Sequence, residues 1–452
     1  MRAVTQYLKQ NGYNVIDDSF YNWINFWMKW YKGKVPSFHE YRQYNGKKKV
    51  HRTRKSLGMA KTVSEDWANL CLNEKVEIII DGKKDTPVHE VLNKNNFRVR
   101  ANQLVEIAFA LGTGAIVEYM ENDNVHMDYI RAGMIYPLRW DNGEIIDCAF
   151  ASAKVNGNKK QIYLNIHEKN DKGNYVIKNQ VLNWSGNSLT QSELPEGLEE
   201  EVDTKSETAR FQIFKPNIVN NINFDSPMGI SIFANAVDQL EGVDLVYDSY
   251  LNEFRLGKKR IIVPITMSRI MIEESGEFTP VFDDNDTEFY ALEMGESNKL
   301  QEVNMEIRHE AHDAGMETAL NMLSLKCGMG VNRYKFEHEA VKTATEVISD
   351  KSDLYQGLKK HELILEKALK DMVHSIANMI GESIKEVAVN FDDSIIEDSE
   401  ASRNKDLQEV RDGIMTKWEY RMKWYGEDEE TAKKRAEEAS GAEDDIGLFG
   451  GE

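Results

Sequence analysis

Cysteine is scarce: Cys71, Cys148 and Cys327 are the only three in 452 residues, widely spaced and without a CxxC pair. That excludes a disulfide framework or a zinc knuckle and leaves buried free thiols. Long apolar runs are also missing, since nothing approaches the roughly 20 residues of a membrane span. No basic start with an apolar core and small-residue cleavage site is present either, so the chain reads as soluble and cytosolic. Catalytic signatures are equally thin. Gly112-Thr113-Gly114 lacks the phosphate-loop pattern and reads as a tight turn before a strand. No Ser/His/Asp or Cys/His set has a recognisable context. His309-Glu310-Ala311-His312 sets its histidines three apart, where zinc proteases use four, and no third ligand is evident. No cofactor and no metal is expected.

Composition points to a folded protein, because hydrophobic residues make up 41% of the chain, too many for a disordered one. The length suggests roughly three modules at about 150 residues each. Charge is unevenly placed: residues 1–61 hold thirteen Lys or Arg against three acids, so of the net −20 they contribute +10 and the rest −30. Phosphates are gripped mainly by Lys and Arg, so the acidic body repels nucleic acid. The basic start, with Lys47, Lys48, Lys49, Arg52, Arg54 and Lys55, reads as a solvated loop, contact with DNA or another acidic surface being the minority option. Trp23, Trp27 and Trp30 share a helical face and are expected to pack into the core.

Periodicity divides the remainder. Residues 62–225 read as α+β, with a helix at 63–72 followed by strands at 76–80, 115–120, 161–168 and 174–182, and a turn at Asp141-Asn142-Gly143. The acidic stretch 193–207 reads as an exposed excursion. A long helix is expected from Gly229 to Leu256, with Phe233, Leu240, Val243, Tyr247, Tyr250 and Phe254 in a seam of three and four steps. Asp238, Glu241, Asp244 and Asp248 gather on another side of it. A strand-rich insert follows, then a helix at 304–326 stopped by Gly328 and Gly330. A further helix runs to about Ile380 with Val347, Leu354, Leu358, Leu365, Leu369, Met372 and Ile376 on one face. After a strand at 387–391, residues 394–426 read as helical with an acid-rich turn between Glu397 and Glu400. The Gly-rich, acidic end has too little apolar surface to order itself.

Several of these stretches resemble one family, the portal proteins of tailed bacteriophages, particularly the branch from phages of Gram-positive hosts. The most telling is GISIFANAVDQLEGVDLVYDSYLNEFRLGKKR at 229–260, similar to that family's first stem helix entering the clip. KTATEVISDKSDLYQGLKKHELILEKAL at 342–369 is similar to the helix after the tunnel loop. Weaker likenesses lie at 110–120, 134–150 and 419–432. The resemblance implies a portal fold, α+β overall, with a long-helix stem, a small α/β clip and a helical crown. Its parts would be a wing at 1–228, stem helices at 229–257 and 304–326, and a clip at 258–303. A tunnel loop at 327–341, a long inner helix and return strand at 342–391, and a crown with acidic tail at 392–452 would complete it.

The same resemblance implies a non-enzymatic subunit in a homo-oligomeric ring of about twelve that forms the DNA channel at one capsid vertex. The genome would be packaged and ejected through it as non-specifically held double-stranded DNA. Implied partners are a large terminase packaging motor, major capsid and scaffolding proteins and a head-tail adaptor, with no membrane. The protein would reside in the virion after assembly in the host cytoplasm. On the residues, Asp238, Glu241, Asp244 and Asp248 are expected to face the lumen or an adjacent stem, an ordinary solvated helix face being equally consistent. Lys326, Arg333 and Lys335 would touch phosphates from the loop, and the seam from Phe233 to Phe254 would pack subunit on subunit. A minor capsid or head-tail adaptor protein is the alternative, and a metal-dependent hydrolase a more distant one.

Overall fold

The structure, a computed structural model, describes residues 2–44, 48–156, 159–186, 188–257, 259–264, 289–292, 301–334, 344–391, 399–425 and 427–436. The fold mixes helix and sheet, in keeping with the α+β expectation. In the N-terminal half, helices Asp18–Tyr31, Met59–Cys71 and Phe97–Leu111 pack together beside two antiparallel sheets. One sheet is built on successive hairpins from Ile135–Asp141 to Ser188–Ser192. Its first turn is Asn142-Gly143, both with positive φ (+47° and +78°), which a two-residue hairpin turn of this hand requires. The other sheet sets Gly114–Glu121 between Asn124–Arg131 and Phe211–Phe214.

Trp27 and Trp30 are buried as expected, whereas Trp23 is 42% exposed. The expected strands lie within a few residues of their bounds, Glu77–Ile80 a residue shorter and Gly114–Glu121, Lys159–Lys169 and Tyr175–Ser185 longer, but helices Pro87–Lys94 and Phe97–Leu111 occupy a region read as strand-rich. The acidic 193–207 stretch is mostly at the surface, with Glu201–Asp203 pairing as a short edge strand against Tyr175–Ser185.

Helix Ala344–Ile380 ties the halves together, at 37 residues and about 1.5 Å each a rod of roughly 55 Å. Leu354, Leu358, Leu365, Leu369, Met372 and Ile376 are all at most 5% exposed, the face that their spacing prescribes. The Val347 side chain lies outside what is described. Beyond this helix Val387–Asn390 returns to pair antiparallel with Glu77–Ile80. The last helical region breaks at Gly413 (φ +73°), between Ser399–Arg411 and Lys417–Tyr425; the acid-rich turn expected between Glu397 and Glu400 falls partly outside the described residues. Glu397 lies outside the described residues and Glu400 is inside the first of these helices. Cys71, Cys148 and Cys327 are buried free thiols.

Candidate functional site: the antiparallel helix pair

The helix expected from Gly229 begins at Val237 and ends at Leu256. A short 3-10 turn, Ala234–Ala236, leads into it, and before that the backbone is engaged elsewhere. The Gly229 N–H donates to Thr113 Oγ1 at 3.0 Å and the Ile232 N–H to the Phe109 carbonyl at 2.8 Å. Gly112 and Gly229 meet backbone to backbone, so that a Cβ on Gly229 would lie 2.3 Å from the Gly112 carbonyl oxygen. The Gly-Thr-Gly turn is thus a close joint between segments, as a turn reading allows.

Val237–Leu256 pairs with His309–Lys326, which starts five residues later than expected. The two run antiparallel. Glu253 near the end of the first accepts from the Arg308 backbone N–H at 2.9 Å and from its guanidinium, and lies 3.4 Å from His312 Nε2 at the start of the second. Those contacts, the backbone N–H first, hold the Glu253 carboxyl down at about 2. Farther along, a Cβ on Gly315 would sit 3.8 Å from Val246. Between the helices the chain forms a small sheet in which Arg260–Pro264 pairs parallel with Phe289–Leu292 and antiparallel with Gln301–Val303.

Two of the four expected lumen acids are buried within the chain. Asp244 is 3% exposed and accepts from the Leu57 N–H at 2.7 Å, with His39 Nε2 3.0 Å from its other oxygen. Asp248 is 8% exposed and accepts from the Lys55 N–H and from Asn252 Nδ2, both at 3.0 Å. These carboxylates fasten residues 55–57 to the helix and have no face left for a channel, which corrects the expectation for both. Asp238 is exposed and Glu241 half-buried.

The apolar seam needs a similar correction. Phe233, Leu240 and Val243 are at most 3% exposed and belong to the chain's own core, so they cannot pack against another subunit. Tyr247 and Tyr250 are half-buried, with Tyr250 edge-on to Phe254 and His312. Only Phe254 of the six is exposed. Other apolar side chains are exposed on the pair, namely Leu245, Met322 and Leu325.

Sequence reading missed an acidic stripe on the second helix. Glu306, just before it, and Glu310, Asp313 and Glu317 within it are exposed. Steps of three and four put Glu310, Asp313 and Glu317 on one face, and the same periodicity rule that singled out Asp238 to Asp248 would have found them, whereas Glu306 precedes the helix. His309 is exposed and His312 is turned toward Glu253. Among the described residues no group of three or more His, Cys, Asp or Glu is placed to hold a metal ion.

Compared with known protein families, residues 13–445 match the one described as phage portal protein, SPP1 Gp6-like. The chain belongs to that phage portal family. It is accordingly a portal protein, a structural subunit of the capsid channel through which DNA passes. No curated protein matches the chain. Among the described residues, no helix is long and apolar enough to cross a membrane.

In this portal the segment after His309–Lys326 is anchored at its start. Trp67 donates its indole N–H to the Cys327 carbonyl at 3.0 Å and stacks edge-on against His361 at 4.7 Å. Gly328 and Gly330 have φ of +76° and +72°. They form a packed turn with Met329 buried between them, and end the helix as expected of them. Lys326 and Arg333 are exposed, with Arg333 Nε 3.7 Å from Asp66, and Lys335 lies outside the described residues. His361 accepts from the Asn217 N–H at 3.0 Å, and burial lowers its pKa to about 3. In the three-stranded sheet, Glu118 is fully buried and accepts from Ser375 of the long helix at 3.3 Å. Its Oε1 has no hydrogen-bond partner among the described residues, and desolvation raises its pKa to about 8.

Proposed function

We propose that the antiparallel pair Val237–Leu256 and His309–Lys326 is the stem of a closed ring of about twelve subunits, with the second helix on the bore side. The supporting observation is a layering. At about 100° per residue, Asp244 and Asp248, which hold residues 55–57, lie on the side of the first helix opposite Val246 and Glu253, which meet the second helix. The order is therefore N-terminal segment, first helix, second helix. With the N-terminal segment outermost, the exposed stripe Glu310, Asp313 and Glu317 faces the lumen.

A carboxylate wall opposite an anionic duplex keeps contact weak and uniform, because like charges repel and no phosphate finds a partner. DNA then slides without sticking. Asp238 and Glu241 contribute to the same potential from the first helix. Lys326 and Arg333 give brief, sequence-independent phosphate contacts at the inner end of the stem, a role Lys335 would share. Subunits meet through Leu245, Phe254, Met322 and Leu325, the apolar side chains the protomer leaves uncovered. A heterologous contact whose rotation returns on itself closes a ring.

In this reading residues 1–228 form the wing, 258–303 the clip, 327–341 the tunnel loop, 342–391 the inner helix with its return strand, and 392–452 the crown. The subunit is not an enzyme, and ATP-driven packaging belongs to a separate terminase motor. Motor and head-tail adaptor dock in turn on the clip end, and capsid and scaffolding proteins surround the ring at one vertex after assembly in the host cytoplasm.

Neutralising the stripe tests this. Rings of Glu310→Gln/Asp313→Asn/Glu317→Gln should look unchanged by negative-stain imaging yet fill capsids several-fold more slowly. Normal filling would remove the stripe from the bore. A protein that never forms annular particles would remove the ring.

A further inference from the structure

The basic N-terminal region leaves part of its charge on a surface that the channel does not use. Glu40–Tyr44 and Lys49–Thr53 form an antiparallel ribbon that no third described strand joins. Paired residues share a face, so the register Arg42 with His51 and Tyr44 with Lys49 puts these four on one side, together with Glu40 and Thr53. Tyr41, paired with Arg52, and Gln43, paired with Val50, take the other side. That second side is the inner one: Tyr41, Val50 and Arg52 are half-buried, and the Arg54 guanidinium caps Tyr41 at 4.8 Å and Phe38 at 4.4 Å. On the outer side Arg42, Lys49 and His51 are exposed and Tyr44 is 64% exposed, with Lys48 exposed at the turn. The one acid there, Glu40, lies 3.8 Å from His51 and leaves the sum positive.

The chain carries this patch in spite of a net charge of −20. Long-range attraction to an anion is therefore absent, and a ligand must be held by local contact. A two-stranded ribbon is narrow enough to enter a nucleic-acid groove. Cations spaced along it match a phosphate backbone, and an exposed tyrosine beside them offers a stacking surface to an unpaired base. We propose that the outer face of this ribbon, Arg42, Tyr44, Lys48, Lys49 and His51, is a sequence-independent nucleic-acid grip. It lies on the side of the stem away from the acidic stripe, outside the channel. Because residues 55–57 are tied to Asp244 and Asp248, the ribbon is rooted on the stem helix. The grip does not require ring closure, so it can fail while the proposed stem arrangement holds, and the reverse.

Fluorescence anisotropy of labelled oligonucleotides against the full chain over a salt series tests it, with duplex and single strand of equal length as separate arms. Replacing Arg42 and Lys49 by Ala should weaken binding about tenfold at low salt and flatten the slope of log affinity against log salt by about 2, roughly 0.9 for each lost phosphate contact. Arg42→Lys/Lys49→Arg should keep the wild-type slope. Tyr44→Ala should weaken only the single-strand arm if bases stack there, and a loss confined to the duplex arm in Arg42→Ala/Lys49→Ala would assign the grip to double-stranded DNA. An unchanged slope in Arg42→Ala/Lys49→Ala overturns the proposal. So does a change in oligomeric state at unchanged nucleic-acid affinity, which would assign the ribbon to an acidic face of another protein.

Discussion

The two helices of the antiparallel pair carry acids at the same three-and-four spacing and use them in opposite ways. On Val237–Leu256, Asp244 and Asp248 are buried and accept backbone N–H groups from residues 55–57. On His309–Lys326, Glu310 and Asp313 stand in the open. The difference does not lie in either helix. It lies in what covers them: a segment 187 to 193 residues away in sequence crosses the first, and nothing described crosses the acidic face of the second. A carboxylate's periodicity shows which acids share a face, and only the neighbouring element decides whether that face is structural or free to act on a ligand.

The contrast can be broken by truncation. Asp244→Ala leaves the Leu57 N–H and His39 without their buried partner and should cost about 3 kcal/mol in urea unfolding. Asp313→Ala on the other helix should stay within about 0.5 kcal/mol. Equal losses would erase the distinction.

A third kind of carboxylate sharpens it. Glu118 is buried like Asp244 but poorly satisfied, and its pKa is raised from 4.5 to about 8. A raised folded pKa means that its stabilising contribution is complete below about pH 4.5 and is lost as pH climbs through about 8. Glu118→Gln, which mimics the protonated acid, should therefore leave stability at pH 5 nearly unchanged. At pH 9 it should raise stability by on the order of 3 kcal/mol. A variant that tracks wild type across this range would mean that Glu118 is solvated or paired. His361 acts in the other direction: its pKa is depressed from 6.5 to about 3, so the stability it lends is present above about pH 6.5 and fades as pH falls toward 3.

Much of the architecture was legible because it obeys period. The buried face of Ala344–Ile380 from Leu354 to Ile376, the hairpin turn at Asn142-Gly143 and the strand returning at Val387 all follow from spacing and turn chemistry alone. Phe97–Leu111 was missed although its period is present, with Arg98, Arg100 and Gln103 exposed and Ala101, Leu104, Val105 and Ala108 buried; only its last turn, Ala108 to Leu111, is buried all round and hides the polar face. The start of Val237–Leu256 was misplaced because Gly229 to Phe233 look periodic, while their backbone is claimed by Thr113 and Phe109. The candidate site suffered for the same reason. Partners such as His39 and Leu57 are distant in sequence, so Asp244, Asp248, Phe233, Leu240 and Val243 were assigned outward when the protomer itself covers them.

Electron cryo-microscopy of the assembled particle at side-chain resolution tests the central claim most directly. The prediction is a ring whose bore is lined by His309–Lys326, with Glu310, Asp313 and Glu317 pointing to the axis and residues 55–57 outside the first helix. A ring with Val237–Leu256 innermost and those three carboxylates turned outward would contradict it.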